Sequence, residues 1–311
     1  MIRKFEKSFF IRTKKLNLRS LFNNYKRNYN QLRKFKFKKM ANVKKESSSN
    51  GGDVFSGIVI VSCIVVGILV WKFVMGSGAN FAGGISGGTP LPGNYRAMVY
   101  NGGPIVPVLM GLLLMVVVFG IERFMVISKA AGKGNLDKFM TKVQASVTSG
   151  DIDGAIDACD KQKGSVANTI KAGLVKYQAV KAEGFNSEEA TETIHKEIEE
   201  VTSLEMPMLE KNLTIISTLV SLGTLAGLLG TVTGMIKAFA GLAGGGGADS
   251  AELANGISEA LINTATGIAT SALAIVVYNY FTSKIDTLTY SIDEAANTIV
   301  NTYRRFKGSV K

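Results

Sequence analysis

The chain has 311 residues, of which 46% are hydrophobic, and its mean hydropathy of +0.20 is high for a soluble protein of this size. The formal charge of +12 is concentrated in residues 1–39, which hold fourteen Lys or Arg and one acid, Glu6, so the rest of the chain is close to neutral. A charge confined to one arm argues against a nucleic-acid-binding protein, and it indicates membrane topology or contact with anionic lipid.

Few residues in the chain could support metal or redox chemistry. Two cysteines, Cys63 and Cys159, are too few for a disulfide framework or a zinc site. The single histidine, His195, lies in a charged stretch where we expect a solvated surface residue. The glycine run 244–247 lacks the Gly-Lys-Ser/Thr of a phosphate-binding loop, so we predict neither an enzyme nor a cofactor.

Residues 1–53 form a basic N-terminal arm and linker. Met40, with Lys44 and Lys45 soon after it, resembles a fresh start, so residues 1–39 are a candidate for an upstream extension that function does not need. A disordered tail that contacts lipid and a targeting segment are the two alternatives.

Four apolar runs are long enough to cross a lipid bilayer as helices: 54–75, 104–129, 213–242 and 257–282. The sequence therefore predicts an all-α integral membrane protein with four transmembrane helices. No compact cleavage site of small residues follows the first run, so we expect a retained span rather than a signal peptide.

The positions of Lys and Arg predict the orientation of the chain. Segment 76–103 contains only Arg96, and segment 243–256 contains no Lys or Arg, so we expect both to be periplasmic loops. Both termini, the helical region 130–212 and the C-terminal helix 283–311 are then expected in the cytoplasm.

The end of the predicted cytoplasmic region leads into the third span. Asn186 with Glu189 three residues later is typical of a capping box that opens a charged helix. No loop signal separates that helix from the third span, so we expect one long helix, with Pro207 as the site of any bend. The fourth span is likewise expected to continue into the C-terminal helix.

Small and hydroxylated residues recur at steps of three and four in the third and fourth spans, which places them on one face of each helix. They include Ser221, Thr224, Gly227, Thr231, Asn263, Thr264, Gly267 and Thr270. Such a face permits close helix packing. It also suits a lumen that contains water, because polar side chains are costly against lipid. We call this face of each helix its stripe, and we expect helix packing to account for some of its residues and a lumen for the others.

Thr231 and Thr264 lie at similar distances from the predicted periplasmic surface, about 12 to 15 Å at the helical rise, so we expect them in one ring. Neither stripe contains an acid at this depth. Glu259 lies near the periplasmic mouth, and Glu122 and Arg123 lie near the cytoplasmic end of the second span. If protons cross, a partner must supply the group that titrates.

Residues 227–236 (GLLGTVTGMI) and 256–267 (GISEALINTATG) resemble the two signature helices of the MotA/TolQ/ExbB family, in the form found in ExbB and TolQ. The Tyr-Asn pair at 278–279 is similar to the family's motif at the inner end of the last span. The Glu-Arg pair at 122–123 is similar to its motif at the start of the cytoplasmic region.

The resemblance implies a homopentamer in a bacterial inner membrane, driven by the proton-motive force. Its lumen would hold two copies of the transmembrane helix of an ExbD-like subunit, which carries a titrating Asp, and a TonB-like protein would transmit work to outer-membrane receptors. Thr231 and Thr264 fall on the family's pore-lining threonines, and Glu259 falls on its acidic residue at the channel entrance. We expect the remaining polar and small residues of the two stripes to complete the proton path.

Two features depart from the family pattern. Thr224 and Leu273 stand where the family usually has proline. The span 54–75 is an addition to the three-span ExbB plan, although a flagellar stator of the MotA type has four spans. A TolQ-like, gliding, secretion or stator motor therefore remains an alternative. A self-contained channel or transporter would normally show an intramembrane carboxylate or broken helices.

Overall fold

The computed structural model describes residues 51–243 and 250–308, and its regular structure there is helical. Residues 1–39, on which the expectation of a dispensable arm rests, lie outside the described residues. The nine α-helices of the described ranges are α1 (Gly51–Leu69), α2 (Tyr95–Tyr100), α3 (Val106–Ala131), α4 (Leu136–Ser149), α5 (Ile152–Gln162), α6 (Gly164–Glu183), α7 (Ser187–Glu210), α8 (Leu213–Ala243) and α9 (Ser250–Gly308).

Four stretches of these helices are long and apolar enough to cross a membrane, which confirms the predicted class of all-α membrane protein. They belong to α1 with the π-helical turn Val70–Met75 that extends it, to α3, to α8 and to α9. The helices α8 and α9 run through Thr224 and Leu273 without interruption. Unlike proline, Thr224 and Leu273 keep the backbone donor that a helical hydrogen bond needs.

The first span packs on α3 through glycines. A Cβ atom added to Gly67 would lie 2.6 Å from the carbonyl oxygen of Pro107, and one added to Gly111 would lie 3.0 Å from the Cα of Ile64. The two backbones therefore touch, as is usual where small residues meet in membrane helices. At the end of the span, the Trp71 ring stacks on Tyr100 with centroids 4.6 Å apart.

The segment between the first two spans, predicted to be a periplasmic loop, folds into short turns and the helix α2. Asn80 donates two hydrogen bonds of 2.9 Å to the carbonyl oxygens of Val74 and Met75, which close the π-helical turn. The Asn94 side chain caps α2. These amides thus satisfy backbone groups at the end of the first span and at the start of α2.

The helices α4 to α7 and the C-terminal half of α9 form a bundle beyond the spans. Its core includes Val143, Val147, Ile170, Leu174, Ile194 and Ile299. The Tyr177 ring meets Tyr303 edge-on at 5.0 Å. Burial raises the pKa of the Cys159 thiol to about 12, so this cysteine is held as an inert core group.

The helix α7 begins at the predicted capping box, since the Glu189 amide donates to the Asn186 side chain at 2.7 Å. The expectation of one continuous helix into the third span was wrong. The helix α7 passes through Pro207 and ends at Glu210, and Asn212 adopts a left-handed conformation with φ of 64°. Asparagine tolerates this conformation better than most residues, so the chain turns at Asn212.

Residues 250–256, predicted to belong to the loop 243–256, form the first turns of α9, which begins at Ser250. From there α9 continues for 59 residues through the fourth span and into the bundle. This continuous helix agrees with the expectation that the fourth span extends beyond the membrane.

Candidate functional site

The helices α8 and α9 meet along a seam of paired hydroxyl groups. The hydroxyls of Thr231 and Thr264 are hydrogen-bonded to each other. A second pair lies two helical turns away. Thr224, seven residues before Thr231, donates its hydroxyl hydrogen to the hydroxyl of Ser271, seven residues after Thr264, at 2.9 Å. Thr231 and Thr264 are partly buried and Thr224 is exposed, so the seam is open on one side. Antiparallel helices produce this pairing when polar residues recur every two turns.

Glycine allows the two helices to approach along this seam. A Cβ atom added to Gly267 would lie 2.7 Å from the Cα of Gly227, so the backbones are in direct contact at this point. The structure thus places both glycines in packing, where any side chain would force the helices apart.

Two other members of the predicted stripe also lie inside the packing of the chain. Asn263 is fully buried, and its amide donates to the carbonyl oxygen of Gly102 at 2.8 Å. Thr270 is also fully buried, and its hydroxyl donates to the carbonyl oxygen of Thr266 at 2.8 Å. For these residues and the two glycines the structure therefore favours the packing interpretation.

The pore-lining interpretation stays a prediction for the residues that the chain leaves open. Ser221 and Thr224 are exposed on α8, and Thr231 and Thr264 are partly exposed at the seam. Hydroxyls that face outward from membrane helices need water, a neighbouring subunit or a partner helix around them.

Glu259 lies on α9 five residues before Thr264, at the predicted periplasmic end of the seam. Its side chain is nearly buried, and the ammonium group of Lys237 lies 2.6 Å from one carboxylate oxygen. Gly103 packs directly against this carboxylate with φ of 81°, where a side chain would collide. Glu259 is thus an ion-paired group in a tight site, and its pairing with Lys237 was missed by the sequence analysis.

The buried Arg123 and the partly buried Glu122 form a cluster at the opposite end of the spans. Arg123 is 2% exposed, is ion-paired with Glu122, and donates to the carbonyl oxygens of Met208 and Leu209 at 3.2 Å each. It therefore satisfies carbonyl groups that the end of α7 leaves free. The Asn212 amide in turn donates to Glu122 at 3.3 Å.

This cluster also reaches the first span. The Ser56 hydroxyl donates to the side-chain oxygen of Asn212 at 3.1 Å. The additional span, the second span and the turn between α7 and α8 are thus connected through a single asparagine. The arrangement fixes the direction in which α8 leaves the bundle.

The described residues outside these clusters offer no grouping of three or more His, Cys, Asp or Glu side chains that could hold a metal ion. His195 is half-exposed on α7, with Nδ1 3.3 Å from a carboxylate oxygen of Glu199. Its position agrees with the predicted surface role.

Fold and site together define a multi-pass α-helical membrane protein whose third and fourth spans share a hydroxyl-lined seam. Residues 162–294 match the MotA/TolQ/ExbB proton channel family. The chain therefore contains a domain of that family, and the ExbB-like resemblance is confirmed.

Curated relatives carry the same names. A biopolymer transport protein named ExbB-like 1 from Synechocystis is 39% identical over 95 residues, 30% of this chain and 37% of that protein. TolQ of the Tol-Pal system of Pseudomonas aeruginosa is 32% identical over 124 residues, 40% of this chain and 54% of TolQ. ExbB of Pseudomonas putida is 25% identical over 139 residues, 45% of this chain and 42% of ExbB. The chain thus spans between about a third and about half of these relatives' lengths.

Proposed function

We propose that the chain is the ring-forming subunit of an ExbB-like motor in a bacterial inner membrane, driven by the proton-motive force. The observation that carries the proposal is the hydroxyl pair of Thr231 and Thr264, which lies on an open face of two spans within the matched family domain. Five copies would enclose a lumen lined by this face, and the lumen would hold two transmembrane helices of an ExbD-like subunit.

Two features of the chain support a partner that brings the titrating group. The helix α8 contains no Asp or Glu, and α9 contains none between Glu259 and Asp286. Glu259 is already ion-paired with Lys237. Hydroxyls can hold water along a path, but their pKa values are too high for them to carry the proton themselves. An acidic side chain on a partner helix would fill this role.

The work of the motor is proposed to reach outer-membrane receptors through a TonB-like protein, as in biopolymer transport by ExbB. A TolQ-like role in the Tol-Pal system is the second candidate. It is favoured by the match to Pseudomonas aeruginosa TolQ, which covers a larger share of the relative than the match to Pseudomonas putida ExbB.

The test is purification of the full-length chain with its membrane partner, followed by native mass spectrometry and proton-flux measurements in liposomes. We expect a ring of five copies, a single-span subunit with an intramembrane Asp, and proton flux that requires this Asp. A chain that purifies as a monomer, or a complex that passes no protons under a membrane potential, would contradict the proposal. Deletion of the gene distinguishes the two candidates, since an ExbB-like loss impairs receptor-dependent uptake and a TolQ-like loss impairs the cell envelope.

A further inference from the structure

A cavity of about 300 Å³ lies between the start of α8 and the middle of α9. Its polar lining comes from the end of α7, the first turns of α8 and the facing side of α9, namely Glu210, Thr214, Ser217, Tyr278, Thr282 and Asp286. Two carboxylates, three aliphatic hydroxyls and one phenol therefore converge on one space at the predicted cytoplasmic end of the spans.

One of these hydroxyls has no hydrogen-bond partner among the described residues. The Thr282 oxygen is buried and unsatisfied, whereas Thr287 and Thr289 on the same helix donate to carbonyl oxygens four residues earlier, at 2.8 and 3.1 Å. A buried hydroxyl beside a polar cavity is normally satisfied by water. The cavity is large enough to hold several water molecules.

The cavity continues the seam of paired hydroxyls. Seven residues beyond Thr224 along α8 is Ser217, and seven beyond Ser271 on α9 is Tyr278; both line the cavity. Each step of seven residues advances about 10 Å along a helix. The polar seam therefore runs from the level of the Thr231 and Thr264 pair to the cavity.

Acidic residues first reappear on these elements at the cavity. Inward from Glu259 along α9 the next carboxylate is Asp286, and Glu210 is the last acid before α8 begins. Glu122 on the second span does not line the cavity. Asp286 and Glu210 are exposed, so both can exchange protons with bulk water. Lys211 and Lys284 are the cations that adjoin them in sequence, and neither lines the cavity.

We propose that this cavity is the release site for protons that leave the seam, a role that rests on the proposed function. A hydronium ion gives its proton to the carboxylate of Asp286 or Glu210, which leaves a water molecule and a carboxylic acid. The acid then gives the proton to a water molecule of the bulk solvent, which restores the carboxylate. The hydroxyls of Ser217, Tyr278 and Thr282 hold the water through which the hydronium arrives.

The test uses the full-length chain, reconstituted with its membrane partner in liposomes that enclose a pH-sensitive dye, with a potassium gradient and valinomycin to set the potential. The double variant Glu210→Gln, Asp286→Asn should lower proton flux by about tenfold or more, since relay carboxylates typically contribute at least that much. Asp286→Glu should keep the flux, because the titrating group remains. Asp293→Asn is the matched control, because Asp293 is exposed on the same helix and lies outside the cavity.

Ser217→Leu provides an independent variant, since it fills the cavity and keeps both acids. It should also lower the flux, and it decides the question if the double variant fails to assemble. If the double variant assembles and keeps the wild-type flux, the release site is overturned and the proposed function is left intact. If the double variant does not assemble, wild-type flux in Ser217→Leu has the same meaning. A wild-type complex without proton flux overturns both. Loss of radioactive sodium uptake with unchanged proton flux would make the cavity a sodium site instead.

Discussion

The ammonium group of Lys237 lies 2.6 Å from a carboxylate oxygen of Glu259, so the acid nearest the predicted channel entrance is an ion-paired group. Lys237 is half-exposed, whereas Glu259 is nearly buried against Gly103. An ion pair with one buried partner is sensitive to loss of its counter-ion, because the remaining charge is left without compensation.

Replacement of Lys237 by Met should therefore destabilise the protein in the proposed ring. We expect a cost of about 1 kcal/mol per subunit, since the half-exposed lysine is partly screened by solvent. Thermal melting of the purified ring in detergent measures this effect, and Lys237→Arg, which keeps the charge, should melt like the wild type. An unchanged melting temperature for Lys237→Met would show that the pair contributes nothing to stability.

In the proposed ExbB-like motor, valine at Thr231 or Thr264 should abolish energised uptake and leave the ring assembled. Valine keeps the size and branching of threonine but removes the hydroxyl, so it breaks the pair across the seam without opening a cavity. Growth that depends on uptake, with gel filtration of the purified ring, measures both outcomes. Thr287→Val is the control, because this exposed threonine lies beyond the predicted span. Normal uptake in both seam variants would refute the assignment of Thr231 and Thr264 to the lumen.

Arg123→Met should destabilise the junction between the spans and the bundle. The substitution leaves Glu122 without its buried counter-ion and leaves two carbonyl groups at the end of α7 without a donor. We expect a loss of roughly 3 kcal/mol, the range for breaking a buried pair by removing one partner. Proteolysis of the purified protein at Lys211 should accelerate in this variant. Arg304→Met, at an exposed arginine on α9, should not change the cleavage rate.

A chain that starts at Met40 should insert, assemble and support growth like the full chain. The basic arm ends before this residue, and Lys44 and Lys45 still place positive charge on the cytoplasmic side of the first span. Protease accessibility of the termini in membrane vesicles reports the topology, and uptake-dependent growth reports the function. Inverted topology or lost growth would make residues 1–39 a functional part of the protein.

The pairing of Thr231 with Thr264 was predictable from the sequence, because the fixed rise of a helix converts residue numbers into depth. The same arithmetic applied to Thr224 and Ser271 would have found the second pair. The burial of Asn263 was not predictable in this way, since it depends on Gly102 in a loop remote in sequence. The turn at Asn212 was also missed. A single asparagine between the charged end of α7 and the apolar start of α8, without glycine or proline beside it, is not a distinctive loop signal.

The proposed ring, formed by this chain alone, should conduct few or no protons. A path through the membrane needs a group whose charge can be cycled, and α8 and α9 carry no acid between Glu259 and the level of Asp286. The hydroxyls of the seam can hold water, but they cannot store the proton at physiological pH. Proton flux into liposomes should therefore rise only when the ExbD-like partner is added, and it should disappear when the intramembrane Asp of that partner becomes Asn.

Glu259 is the one acid of the two helices that could change this outcome, because it lies at the predicted entrance. Its contact with Lys237 and its packing against Gly103 hold it at the end of the seam, which is why we expect no flux through it in the isolated ring. Glu259→Gln in the isolated ring tests this directly, with Glu252→Gln, at an exposed acid two turns earlier on α9, as the control. Strong proton flux through the ring alone, lost in Glu259→Gln and kept in Glu252→Gln, would make Glu259 the titrating group and the chain a channel in its own right.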